Sequence, residues 1–134
     1  MSLNGWVRLA AVGVVAVLGT MTSPAWAADT ICASKCVANF EVYGYAHYQA
    51  QVDNDFSKAG SWIWVYGRGR GAHTDYYLSG DSKMHKLYTP KNDSRSEVLP
   101  SKVVKFRVCG PNGGGGDYCS DWRLPVTGPV GVIK

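Results

Sequence analysis

VVKFRVCGPNGGGGDYCSDWRL, residues 103–124, reads as a β-hairpin closed by a disulfide. Its first arm alternates, with Val104, Phe106 and Val108 on one face and Lys105, Arg107 and Cys109 on the other. The expected turn, Gly110-Pro111-Asn112 followed by four glycines, is easy to form because glycine has no Cβ to oppose positive φ angles. The returning arm sets Tyr118, Ser120 and Trp122 opposite Cys119, Asp121 and Arg123. Both cysteines thus share the charged face, where a bond across the hairpin is geometrically reasonable. Closing so short a loop should stabilise the fold by about 2–3 kcal/mol. Arg107 and Asp121 share that face and are expected to pair across the strands.

Upstream of the hairpin the same period of two recurs. Residues 39–52 place Phe40, Val42, Tyr48 and Val52 on one parity, and Tyr43, Tyr45, His47 and Gln49 on the other. This predicts one long strand with a bulge or bend at Gly44, sending Phe40, Val42 and Tyr48 inward and leaving Tyr43, Tyr45 and His47 outward. Residues 53–60 (DNDFSKAG) are turn chemistry. Residues 61–66 (SWIWVY) form the most β-prone segment, with Trp62, Trp64 and Tyr66 facing away from Ile63 and Val65. Trp62 and Trp64 are expected to fill the sandwich core, as a tryptophan on a third strand does, with Ile63 and Val65 the other core candidates. The run Gly67-Arg68-Gly69-Arg70-Gly71 breaks it. Residues 73–78 resume as a strand with Thr74, Tyr76 and Leu78 opposite His73, Asp75 and Tyr77. A weaker strand follows at 83–89, then a polar loop at 90–96, and a tail after Pro125 that should fray. No sustained helical period follows the first cysteines. The fold class predicted is all-β, a small antiparallel β-sandwich of the immunoglobulin or fibronectin type III kind, stapled by disulfides.

Residues 1–27 have the pattern of a signal peptide. Arg8 precedes an apolar run, LAAVGVVAVL, and Ala25-Trp26-Ala27 supplies small residues at the two positions a signal peptidase reads. The run is shorter than the ~20 apolar residues a bilayer span needs, so no stable membrane anchor is expected after cleavage. Residues 28–134 then form a single secreted β-domain. The whole chain carries a formal charge of +4, with charges of both signs interspersed. Nothing in that distribution implies nucleic-acid binding.

The four cysteines, Cys32, Cys36, Cys109 and Cys119, form an even set in a short exported chain, which reads as a disulfide framework. Spacing favours the local pairs Cys32–Cys36 and Cys109–Cys119, the first held by a short turn or helical loop at 31–38. Two long-range bonds from the N-terminus to the hairpin are the rival. Zinc is disfavoured by export and by the absence of C-x₂-C spacing, so no metal and no cofactor are expected.

Residues 103–126 (VVKFRVCGPNGGGGDYCSDWRLPV) resemble the last hairpin of a fibronectin type III domain, in which an alternating strand meets an Asn-Gly-rich turn. Leu99-Pro100 resembles that fold's corner, although Val103-Val104 stands where its tyrosine would fall. The R-V-C…C-S-x-W ending after an exported leader is similar to small secreted actinobacterial proteins of unassigned function. That resemblance implies a secreted β-domain and brings no catalytic residue with it.

Three functions are compatible with these residues. The first is a non-catalytic secreted protein that binds an extracellular glycan or cell-wall polymer through Tyr43, Tyr45, Tyr77 and the Arg68/Arg70 loop, since aromatic rings offer apolar area with a polar tip. The second is a secreted antibacterial or inhibitor protein. The third is a small hydrolase or nuclease built on His73 and Asp75, or on Glu41 or Glu97 with His47 or His73. Neither G-x-S-x-G nor H-E-x-x-H occurs, so the first reading is preferred. The oligomeric state is not legible.

Overall fold

A computed structural model describes residues 29–128; the expected signal peptide lies outside them. Ten strands run in chain order: β1 (Thr30–Cys32), β2 (Lys35–Val42), β3 (Ala46–Asp53), β4 (Ser61–Arg68), β5 (Ala72–Leu78), β6 (His85–Thr89), β7 (Asp93–Leu99), β8 (Val103–Pro111), β9 (Asp117–Cys119) and β10 (Arg123–Pro125). They form two sheets. One has the order β2-β3-β4-β7, the other β1-β10-β8-β5-β6 with β9 also on β8. All neighbours are antiparallel except β1 and β10. The predicted all-β sandwich is thus observed, and no helix occurs among the described residues. Its core is closed by Tyr48, Val52, Ile63, Val65, Phe106 and Val108, all fully buried.

Both local disulfides are present, Cys32–Cys36 and Cys109–Cys119. The first spans no helical loop. A bend at Ala33-Ser34 carries the chain from β1 in one sheet to β2 in the other, so this bond ties the two layers together.

Residues 39–52 are two strands rather than one. The turn between β2 and β3 closes with Tyr45 N–H donating to the Val42 carbonyl at 2.8 Å, and Gly44 sits at φ 67°, a conformation that costs a residue with a Cβ. Val42 pairs with Ala46, so both arms keep their even-numbered residues inward. Tyr48 is fully buried as expected, whereas Phe40 and Val42 are only partly covered.

The hairpin that anchors the sequence reading departs from it in three places. A register irregularity on β5 between Tyr77 and Leu78 turns Val103 inward and leaves Val104 exposed. Gly110 and Pro111 belong to β8, and the turn begins at Asn112, whose Oδ1 accepts the N–H of Gly114 at 2.7 Å. Gly110 is required there because a Cβ would lie 2.3 Å from the Tyr48 ring, whose hydroxyl donates to the Pro111 carbonyl at 2.6 Å. The returning arm is interrupted after Cys119. Ser120 is drawn in, its N–H donating to the Val108 carbonyl while its hydroxyl accepts the Val108 N–H. Parity is lost at that point, so Trp122 lies on the charged face and Asp121 bonds Thr30 and Arg123 instead of Arg107.

Residues 93–96, read as loop, belong to β7, an edge strand on β4 that is exposed from Asp93 to Val98. The tail is held at least to Val126, whose N–H donates to the Cys32 carbonyl.

Candidate functional site

The five tyrosines and arginines proposed from sequence do not assemble. Tyr43 stands at the tip of the β2–β3 turn, 99 % exposed. Tyr45 is not outward: its ring packs against the core and under the Arg70 guanidinium, 4.6 Å away. Tyr77 is on the opposite sheet beside Trp122, with ring centroids 5.7 Å apart. Only Arg68 lies on the outer face of the β2-β3-β4-β7 sheet, where it pairs with Glu41 at 3.7 Å.

That face nevertheless carries the aromatic row, and Trp62 and Trp64 are not the core residues expected of them. Ile63 and Val65 fill the core, so alternation along β4 sends Trp62, Trp64 and Tyr66 outward, each partly exposed. Trp64 and Tyr66 are parallel, with centroids 5.9 Å apart and planes within 5°. Successive outward residues on a strand are roughly 6.6 Å apart, so the three rings extend over roughly 13 Å. Register places Gln49, Gln51 and Asp53 of β3 beside Tyr66, Trp64 and Trp62, and Ser94, Ser96 and Val98 of β7 on their other side. Asn39 Oδ1 accepts from Gln49 Nε2 at 2.8 Å and stands 3.2 Å from His47 Nε2. The rings are therefore flanked by amides and hydroxyls that face solvent.

At the Trp62 end the row opens into a groove of about 490 Å³ lined by Trp62, Val98 and Pro100, with Asp53, Asp55 and Lys58 on its rim. The rim is a fixed one. Lys102 extends its ammonium into the β3–β4 loop and donates to the carbonyls of Asp55 (2.6 Å), Gly60 (2.8 Å) and Lys58. Asp55 is occupied by the Ser57 N–H and hydroxyl, which hold its carboxyl below the usual range.

The outer face of the other sheet is of a different kind. Asp75, 1 % exposed, lies directly across from Lys86 on β6 and Arg107 on β8. It accepts from Lys86 Nζ at 2.8 Å, from Arg107 Nε at 3.0 Å, and sits 2.9 Å from His73 Nδ1. Burial pushes its carboxyl up, but the bonds from His73, Lys86 and Arg107 outweigh that and hold it well below the ordinary carboxylate range. Lys105 and Arg107 in turn cover the Trp122 ring at 4.6 and 4.5 Å. This is a charge ladder across three strands whose members satisfy one another.

His73 and Asp75, on which the hydrolase alternative would rest, do come together, and Asp117 lies 3.2 Å from His73 Nε2, so both ring nitrogens face carboxylates. His73, Asp75 and Cys109 also come within 4.8 Å of one another. They do not make a metal site, because the Cys109 sulfur is bonded to Cys119 and offers no thiolate. Glu41 is opposite His47 in register but is paired with Arg68.

Comparison with known proteins finds no matching family model, no matching curated protein and no matching solved structure.

Proposed function

We propose that this is a secreted, non-catalytic binding protein that takes up an extracellular glycan on the outer face of the β2-β3-β4-β7 sheet. The observation that carries the reading is the row Trp62, Trp64 and Tyr66, held outward because Ile63 and Val65 own the core side of the same strand. Aromatic rings stack on the apolar C–H faces of sugars, and the neighbouring amides of Gln49 and Gln51 suit the hydroxyl rims. The opposite face has its charged groups already engaged with one another. Two disulfides accord with an oxidising compartment, and among the described residues no helix is long and apolar enough to cross a membrane.

The test is sedimentation with insoluble chitin, cellulose and purified cell wall, followed by titration calorimetry with soluble fragments of whichever is bound. Trp64→Ala should weaken binding roughly tenfold or more, as loss of a central aromatic anchor does. Its melting midpoint should stay near that of the parent, since Trp64 is not part of the core cluster. Absence of binding to all three polymers would overturn the reading in favour of the antibacterial or inhibitor class.

A further inference from the structure

Charge along the aromatic row is uneven. At the Tyr66 end, Arg68 and Glu41 neutralise one another. At the Trp62 end stands Asp53, directly across the strands from the Trp62 ring. Asp53 makes no ion pair and no side-chain hydrogen bond among the described residues, although Lys35 is its register partner on β2. The second carboxylate on that rim, Asp55, has Lys58 at 3.8 Å and accepts from the Ser57 N–H and hydroxyl, so Asp53 is the rim carboxylate left without a bonded partner among the described residues.

From this asymmetry we infer that the groove at Trp62 is a subsite for a protonated amino sugar, and that the ligand class is a glucosamine-containing, partly de-N-acetylated polysaccharide. An aromatic face and an unpaired carboxylate at its edge are the two elements that recognise an ammonium group, one through its ring quadrupole and the other through a charge-assisted hydrogen bond. Val98, 80 % exposed, and Pro100 give the groove an apolar wall for the C–H face of the sugar ring. The loop that carries the rim is pinned by Lys102, so the subsite is preformed. The inference rests on the glycan-binding reading above and specifies its substrate.

Calorimetry at low salt in mildly acidic buffer, with a glucosamine hexamer, its fully N-acetylated counterpart and a β-linked glucose hexamer, tests both layers separately. The glucosamine oligomer should bind roughly tenfold tighter than the two neutral ones. Asp53→Asn, nearly isosteric at a partly exposed position, should abolish that preference, so that the variant binds the glucosamine oligomer no more tightly than the neutral ones. Equal affinity of the parent protein for all three would overturn the amino-sugar subsite and leave the aromatic face standing. So would retention of the preference by a folded Asp53→Asn. Failure of every oligomer to bind would overturn the subsite and the glycan reading together.

Discussion

Asp75→Asn should lower the unfolding free energy at neutral pH by about 3 kcal/mol, since removing one member of a buried ion cluster strands its partners. The side chain is 1 % exposed, while Lys86 and Arg107 are 36 % and 30 % exposed. The cations can therefore recover some hydration, which holds the cost at the low end for such clusters. The same carboxylate contributes to the acid limb of stability. Its folded-state pKa lies below the ordinary value of 3.8, so its contribution is complete above that value and is lost as pH falls through the folded pKa. Urea unfolding at several pH values should show the parent weakening steeply below about pH 4, and Asp75→Asn doing so less steeply. Equal midpoints at pH 7 would show that the ladder adds nothing to stability.

Legibility in the sequence followed the period of two. β4, β5 and most of β8 alternate because one face of each is core, so the strands are legible, although for β4 the pattern does not say which face is inward. β7 was unreadable because Asp93 to Val98 are exposed on both faces, so no alternation exists until Leu99. Its pairing is carried by backbone hydrogen bonds to β4, which leave no trace in side-chain pattern. The β2–β3 turn was hidden for the opposite reason. A loop of residues 43–45 leaves Val42 facing Ala46, so parity continues through the turn as it would along one strand.

The binding face was half legible. Trp62, Trp64 and Tyr66 could be placed on one side of β4, but Ile63 and Val65 on the other are equally apolar. Which side is buried depends on the facing layer. There Phe106, Val108 and Tyr76 already fill the space, leaving room for β-branched residues and not for indoles. Tyr43, Tyr45, Tyr77, Arg68 and Arg70 do not form a site because parity assigns a side and not a partner, and for Tyr45, which follows the β2–β3 turn, even the side differs. Arg70 covers the Tyr45 ring, and Lys105 stands 5.1 Å from the centre of Tyr77. Asp53 and Asn54 share one turn-like motif in the sequence, and the structure gives them opposite fates, one at the edge of a groove and one in the core.

Asn54 is the buried fastener of the sandwich, and Asn54→Ala should cost about 3–5 kcal/mol. Its Nδ2 donates to the carbonyls of Val103 (2.9 Å) and Val126 (3.1 Å), and its Oδ1 accepts the Val103 N–H at 3.0 Å. Its own N–H donates to the Ser34 carbonyl at 2.9 Å. The side-chain amide thus joins the β3–β4 loop to the start of β8 and the segment after β10, while the backbone N–H, which alanine keeps, ties it to the crossing between the sheets. Alanine leaves the side-chain partners without bonds where Asn54 is fully buried, at about 1–3 kcal/mol for each stranded group. Asn54→Asp separates this loss from that of volume. Aspartate keeps the acceptor for the Val103 N–H but turns a carboxylate toward two carbonyls that need donors, so at pH 7 it should cost more than alanine. Burial and those carbonyls raise its folded pKa above the unfolded value, so the folded state holds the extra proton and stability falls as pH rises. Lowering pH from 7 toward 5 should therefore restore part of the stability of Asn54→Asp while leaving Asn54→Ala little changed. A denaturant midpoint for Asn54→Ala equal to that of the parent would show that the two side-chain junctions hold without it.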